Sequence, residues 1–136
     1  MDDQSLGLLT RVLNTAMLLV LAAGLLYRFR PRVHIPLMLT AFVGDLVNVL
    51  LVEVYSRRTS GGTGAVEKGI GAFAGEADLL SRFHIIVSTL CILGYVAALA
   101  TGIRLLRRGR GRRAHRVNAL IFLVTRLSSY VTSFWM

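Results

Sequence analysis

Apolar residues fall into four long runs, at residues 12–27, 34–55, 83–106 and 116–136, separated by stretches rich in arginine or glycine. A bilayer core about 30 Å thick takes roughly 20 mostly apolar residues in a helix, and each run reaches or approaches that length. None alternates apolar and polar with the two-residue period of a barrel strand, so the pattern predicts four transmembrane helices. Pro31 and Pro36 bracket the start of the second run, where a missing N–H costs least. The long connection, 56–82, contains Ser60-Gly-Gly-Thr-Gly64 and further glycines at 69, 71 and 75. No Gly-Lys-Ser/Thr follows those glycines and no strand precedes them, so the segment reads as a flexible loop and not a phosphate-binding one. Residues 72–82 read as a short interfacial helix leading into the third run.

Polar and small residues recur inside the runs at helical spacing. One stripe is His34, Met38, Ala41, Asp45, Asn48 and Val52; a second is His84, Ser88, Cys91, Tyr95, Ala98 and Gly102; a third is His115, Ala119, Phe122, Arg126, Ser129 and Ser133. Membrane bundles turn such faces inward, away from lipid. Asp45 follows His34 by eleven residues and Arg126 follows His115 by eleven, so the two hairpins read as a weak repeat. That offset places both charges roughly 16 Å along their helices. An unpaired charge at such depth costs on the order of 3 kcal/mol by insertion scales. Asp45 and Arg126 are therefore expected to pair as a structural salt bridge; a proton path is the alternative, for which a fixed arginine is a poor relay. Glu53 and Arg11 form a second expected pair.

Composition agrees with the pattern: 54% of the 136 residues are apolar and the mean hydropathy is +0.63. The length suits one membrane domain, 1–136. Sixteen basic against seven acidic residues give +9, and the excess is local. Arg28, Arg30 and Arg32 follow the first run, and seven arginines lie between Arg104 and Arg116, with no acid in either connection. Asp2, Asp3, Glu53, Glu67, Glu76 and Asp78 lie at the other ends of the runs. The basic connections are thus expected in the cytoplasm, touching anionic lipid headgroups. The fold class that follows is all-α integral membrane, an up-down bundle of four transmembrane helices with both termini on the non-cytoplasmic side. Acidic residues open the first run where a signal peptide would be basic, so it reads as a retained helix. The 104–116 run lacks interleaved aromatics, which argues against nucleic acid. Cys91 is the single cysteine, so no disulfide forms within the chain, and it reads as a small packing residue. No nucleophile has a base at a sensible offset and no carboxylates pair, so an enzyme is not expected.

The histidines carry the candidate chemistry. His34 and His115 each begin a stripe at the cytoplasmic end of a helix, and in an up-down bundle these helices are diagonal neighbours. Two inward imidazoles at one level have the geometry of two axial haem ligands, or of two ligands to one metal ion. The plainer alternative is two interfacial histidines bonded to backbone or headgroups. His84 belongs to the opposite face, where with Glu53 or Cys91 it would make an outer metal site suited to copper.

His34-Ile-Pro-Leu-Met-Leu-Thr-Ala-Phe42, Phe83-His84-Ile85 and Ala114-His115-Arg116 followed by Ser129-Tyr130-Val131-Thr132 also carry a family resemblance. They resemble the helices of the small YozB/CtaM-like membrane proteins over residues 34–136, the outer loop excepted. The resemblance implies a multi-helix protein of the bacterial inner (plasma) membrane, linked to maturation or activity of haem-copper oxidases. Its matching residues are His34, Met38, His84, His115 and Tyr130, which makes Met38 a candidate ligand beside His34 and His115. Tyr55-Ser56 stands where the family tends to have another histidine, and Asp45 and Arg126 replace less charged positions.

The leading expectation is a non-enzymatic membrane protein that assists a respiratory complex, holding haem b or copper through His34 and His115. The alternatives are a b-type haem electron-transfer subunit and a purely structural subunit. The expected partners are the lipid bilayer, subunits of a respiratory complex and a second copy of the chain.

Overall fold

A computed structural model describes residues 3–59, 61–75 and 79–135. Among them all regular structure is helical: α1 (Asp3–Leu26), α2 (Pro31–Thr59), α3 (Ala65–Ala74), α4 (Leu79–Arg108) and α5 (Arg112–Thr132). Each predicted span falls on its own long helix, but the helices overrun the apolar runs. Polar residues cost a helix little where it leaves the hydrocarbon, so α1 starts at Asp3 rather than near residue 12, and α2 continues to Thr59. The connection expected at 56–82 is correspondingly short, and its helix lies at Ala65–Ala74, earlier than the expected 72–82. Asp2, Ser60, Glu76, Asp78 and Met136 lie outside the described residues.

Three helical segments, Gln4–Leu26, Pro31–Thr59 and Leu79–Arg108, are long and apolar enough to cross a membrane. The segment α5 is not among them, since it carries Arg112, Arg113, Arg116 and Arg126. Packing divides the chain into two compact units, Met1–Lys68 and Gly69–Met136.

The first unit is a hairpin of α1 and α2. Their contacts run antiparallel: Gly24 lies against Met38, and Gly44 against Met17. Leu21 and Ala41 are buried along the seam. Small residues let the backbones approach, which replaces the hydrophobic drive that lipid does not supply. The turn carries exposed Arg28, Arg30 and Arg32 beside exposed Tyr27 and Phe29, the mix of cation and aromatic found at membrane interfaces. Arg28 sits 4.9 Å over the Phe29 ring. Pro36 lies inside α2 rather than at its edge. The carbonyl its missing N–H leaves behind belongs to exposed Arg32, within reach of water.

At the far end of α2 the glycine segment folds back on the helix. Gly62, at φ 102°, donates its N–H to the Arg57 carbonyl at 2.9 Å. Glu53 holds the start of α3: Oε2 accepts the Val66 N–H at 2.9 Å while Oε1 pairs with Arg57 Nε at 2.7 Å. A carboxylate at a helix N-terminus satisfies an orphan donor and meets the positive end of the dipole. Gly64 is needed there, since a Cβ would collide with the Glu53 carboxylate. Both Glu53 oxygens are thus engaged within the first unit, by Val66 and Arg57.

The second unit is a hairpin of α4 and α5, joined through Gly109, Arg110 and Gly111. Gly109 and Gly111, at φ 62° and 96°, take the left-handed conformations that reverse the chain in so few residues. The two stripes read from the sequence face each other here. The Tyr95 and Phe122 rings meet tilted at 48°, their centroids 4.1 Å apart, and Gly94 lies under Phe122, so that a Cβ there would stand 3.3 Å from the Phe122 Cα.

Candidate functional site

His34 stands one turn into α2, half-buried against α1. Its Nδ1 is 2.7 Å from the Gly24 carbonyl oxygen. A carbonyl only accepts, so Nδ1 bears the proton and Nε2 carries the lone pair of the neutral ring. This is the arrangement that orients metal-ligating histidines, in which the second nitrogen donates to a backbone carbonyl and fixes the tautomer. Met38, one turn further along the same face, rests its Sδ 3.0 Å from where a Gly24 Cβ would stand. Imidazole and thioether on one face form a soft donor pair, of the kind suited to Cu(I) or haem iron. Each is a ligand type found on Cu(I) and on haem iron.

His115 repeats part of this pattern in the second unit. It lies against Gly102, where a Cβ would meet its Cε1 at 3.4 Å. Thr101 Oγ1 donates to the Ala97 carbonyl at 2.7 Å, so towards His115 Nδ1, at 3.3 Å, it accepts. The proton of this ring is again on Nδ1. In both hairpins a histidine at the start of the second helix is seated on a glycine near the end of the first. His34 and His115 belong to different units.

His84 is placed differently. Its Nδ1 is 2.6 Å from Thr132 Oγ1, and its Nε2 is 3.3 Å from Ser88 Oγ, which is in turn 2.8 Å from Ser129 Oγ. Thr132 commits its own proton to the Ser128 carbonyl at 2.8 Å. The donors therefore run in one direction, from Ser129 to Ser88 to His84 to Thr132 to the Ser128 carbonyl. A metal ion on His84 would have to displace the Ser88 hydroxyl. Among the described residues no three His, Cys, Asp or Glu side chains come together in a group that could hold a metal.

Asp45 lies half-buried on α2, and Arg126 is buried on α5, 4% exposed. The chain contains no Asp or Glu after Asp78, so α4 and α5 offer no side-chain carboxylate to Arg126. Cys91 is buried in the α4 stripe, and Tyr130 packs edge-on against Phe134 at 5.0 Å. Sequence reasoning missed Gly24, Thr101 and Thr132 as partners of the histidines, and it placed Gly102 on the α4 stripe without pairing it with His115. The signal for Gly24 and Gly102 was a glycine in the last turns of an otherwise apolar span, opposite a histidine that opens the next.

Comparison of the chain with family models, curated proteins and solved structures gives no match in any of the three.

Proposed function

We propose that this chain is a multi-pass protein of the bacterial plasma membrane that assists assembly or function of a haem-copper respiratory complex. In this reading it is not an enzyme, and His34, with Met38 as a further soft donor, and His115 are each a ligand for haem b or copper. The observation that carries the reading is the His34 Nδ1–H bond to the Gly24 carbonyl, which presents Nε2 as a ligand. The glycine-seated His115 and the resemblance to YozB/CtaM-like proteins support it. Either group, when bound, would supply one-electron redox chemistry; the chain's own residues orient the imidazoles and keep their protons on Nδ1.

The reading takes α5 as a fourth span, with both termini outside. What supports this is the polar satisfaction of α5 along α4: Thr125 and Thr132 return their hydroxyls to backbone carbonyls at 3.0 and 2.8 Å, and Ser129 bonds Ser88. Removing the chain from its host, or introducing His34→Ala, is expected to lower the amount of assembled haem-copper oxidase in isolated membranes, measured by its reduced-minus-oxidised spectrum. An unchanged oxidase content in the deletion strain contradicts the assembly role.

A further inference from the structure

We propose that the α4–α5 turn is a binding site for the phosphodiester headgroup of an anionic phospholipid, beyond its expected service as a topology signal. The inference rests on the membrane part of the reading above and not on the cofactor. Five of the seven residues from Arg107 to Arg113 are arginine, and the other two are Gly109 and Gly111. All seven are exposed. With no Asp or Glu after Asp78, neither helix of the hairpin contains a carboxylate to neutralise them. The counter-charge must come from outside the hairpin, and at the end of two spans the bilayer surface is its nearest source.

The local geometry favours a phosphate over diffuse screening. Guanidinium groups grip phosphate oxygens in pairs, with a fork that ammonium groups lack. The left-handed glycines bring the last turn of α4 and the first turn of α5 together, so Arg107, Arg108, Arg112 and Arg113 flank one short turn. Gly111 also starts α5 with no side chain bonded to the first N–H groups. Those donors add partial positive charge at the same place. The first hairpin's turn is an internal comparison: its three arginines alternate with Phe29 and Pro31, and Arg28 is stacked on Phe29.

The test uses the full chain in mild detergent, with lipid retention read by native mass spectrometry. Phosphatidylglycerol, phosphatidylcholine and inorganic phosphate are added separately to the wild type and to two variants. One variant carries Arg→Gln at 107, 108, 110, 112 and 113; the other carries Arg28→Gln, Arg30→Gln and Arg32→Gln. The wild type should retain phosphatidylglycerol over phosphatidylcholine by at least about tenfold. The five-site variant should lose that preference with its helical circular dichroism unchanged, and the three-site variant should keep it. Equal retention of both lipids, equal loss in both variants, or binding of inorganic phosphate without lipid preference overturns the proposal. Alkaline washing of native membranes separates the two readings. A washed-out chain refutes the membrane assignment, whereas a retained chain without lipid preference refutes this site alone.

Discussion

Gly94 and Gly44 show how individual residues hold each hairpin closed. At Gly94 the nearest atoms belong to the Phe122 Cβ and backbone, which cannot move aside without separating α4 from α5. Gly94→Leu should destabilise the chain in detergent by about 1–3 kcal/mol, seen as an earlier thermal unfolding transition. Gly7 has open space around it, so Gly7→Ala should be neutral or stabilise by up to about 1 kcal/mol through helix propensity. The Ser129–Ser88–His84–Thr132 chain makes a second prediction. Ser88→Ala removes the donor to His84 Nε2 within α4 and the partner of Ser129 across to α5, at a cost of about 0.6 kcal/mol and at most about 1.7 for the interhelical bond. In the same variant the nitrogen resonances of His84 should shift while those of His34 stay in place. The histidines themselves were legible as starts of periodic stripes. Their acceptors were not, because a backbone carbonyl or a threonine hydroxyl leaves no residue-type signal that tells it apart from its neighbours.

At the scale of elements, apolar periodicity located α1, α2, α4 and α5, and the polar stripes marked the inward faces of α4 and α5. His84, Ser88 and Tyr95 do face Thr132, Ser129 and Phe122. The ends were harder to read, since hydropathy marks where lipid would stop and not where backbone hydrogen bonding stops. The short helix α3 was displaced from its expected place for a related reason: its start is set by Glu53, a residue distant in sequence, through the Val66 N–H. Glu53→Ala should loosen this start at a cost of about 0.5–2 kcal/mol, checked as faster hydrogen exchange at residues 65–68 with α1 and α2 unaffected. The arginines of α5 keep it out of the set that composition alone would place in a membrane. If it spans as proposed, Arg126→Leu should ease its insertion by on the order of 3 kcal/mol, raising the fraction of chains whose C-terminal reporter is outside.

Among the described residues two helical hairpins, α1–α2 and α4–α5, share one local plan, each turning at an arginine-rich connection and each seating a histidine on a glycine of its partner helix. The matched eleven-residue offset from His34 to Asp45 and from His115 to Arg126 hinted at this repeat, and the seats at Gly24 and Gly102 extend it. These seats are proposed to present ligands to haem or copper. The direct measurement is an absorbance spectrum with metal analysis of the protein purified in mild detergent, alongside His34→Ala and His115→Ala. A Soret band or bound copper is expected in the wild type and lowered in each variant, while helical circular dichroism is retained. A colourless, metal-free wild type, or cofactor content unchanged in both variants, contradicts it.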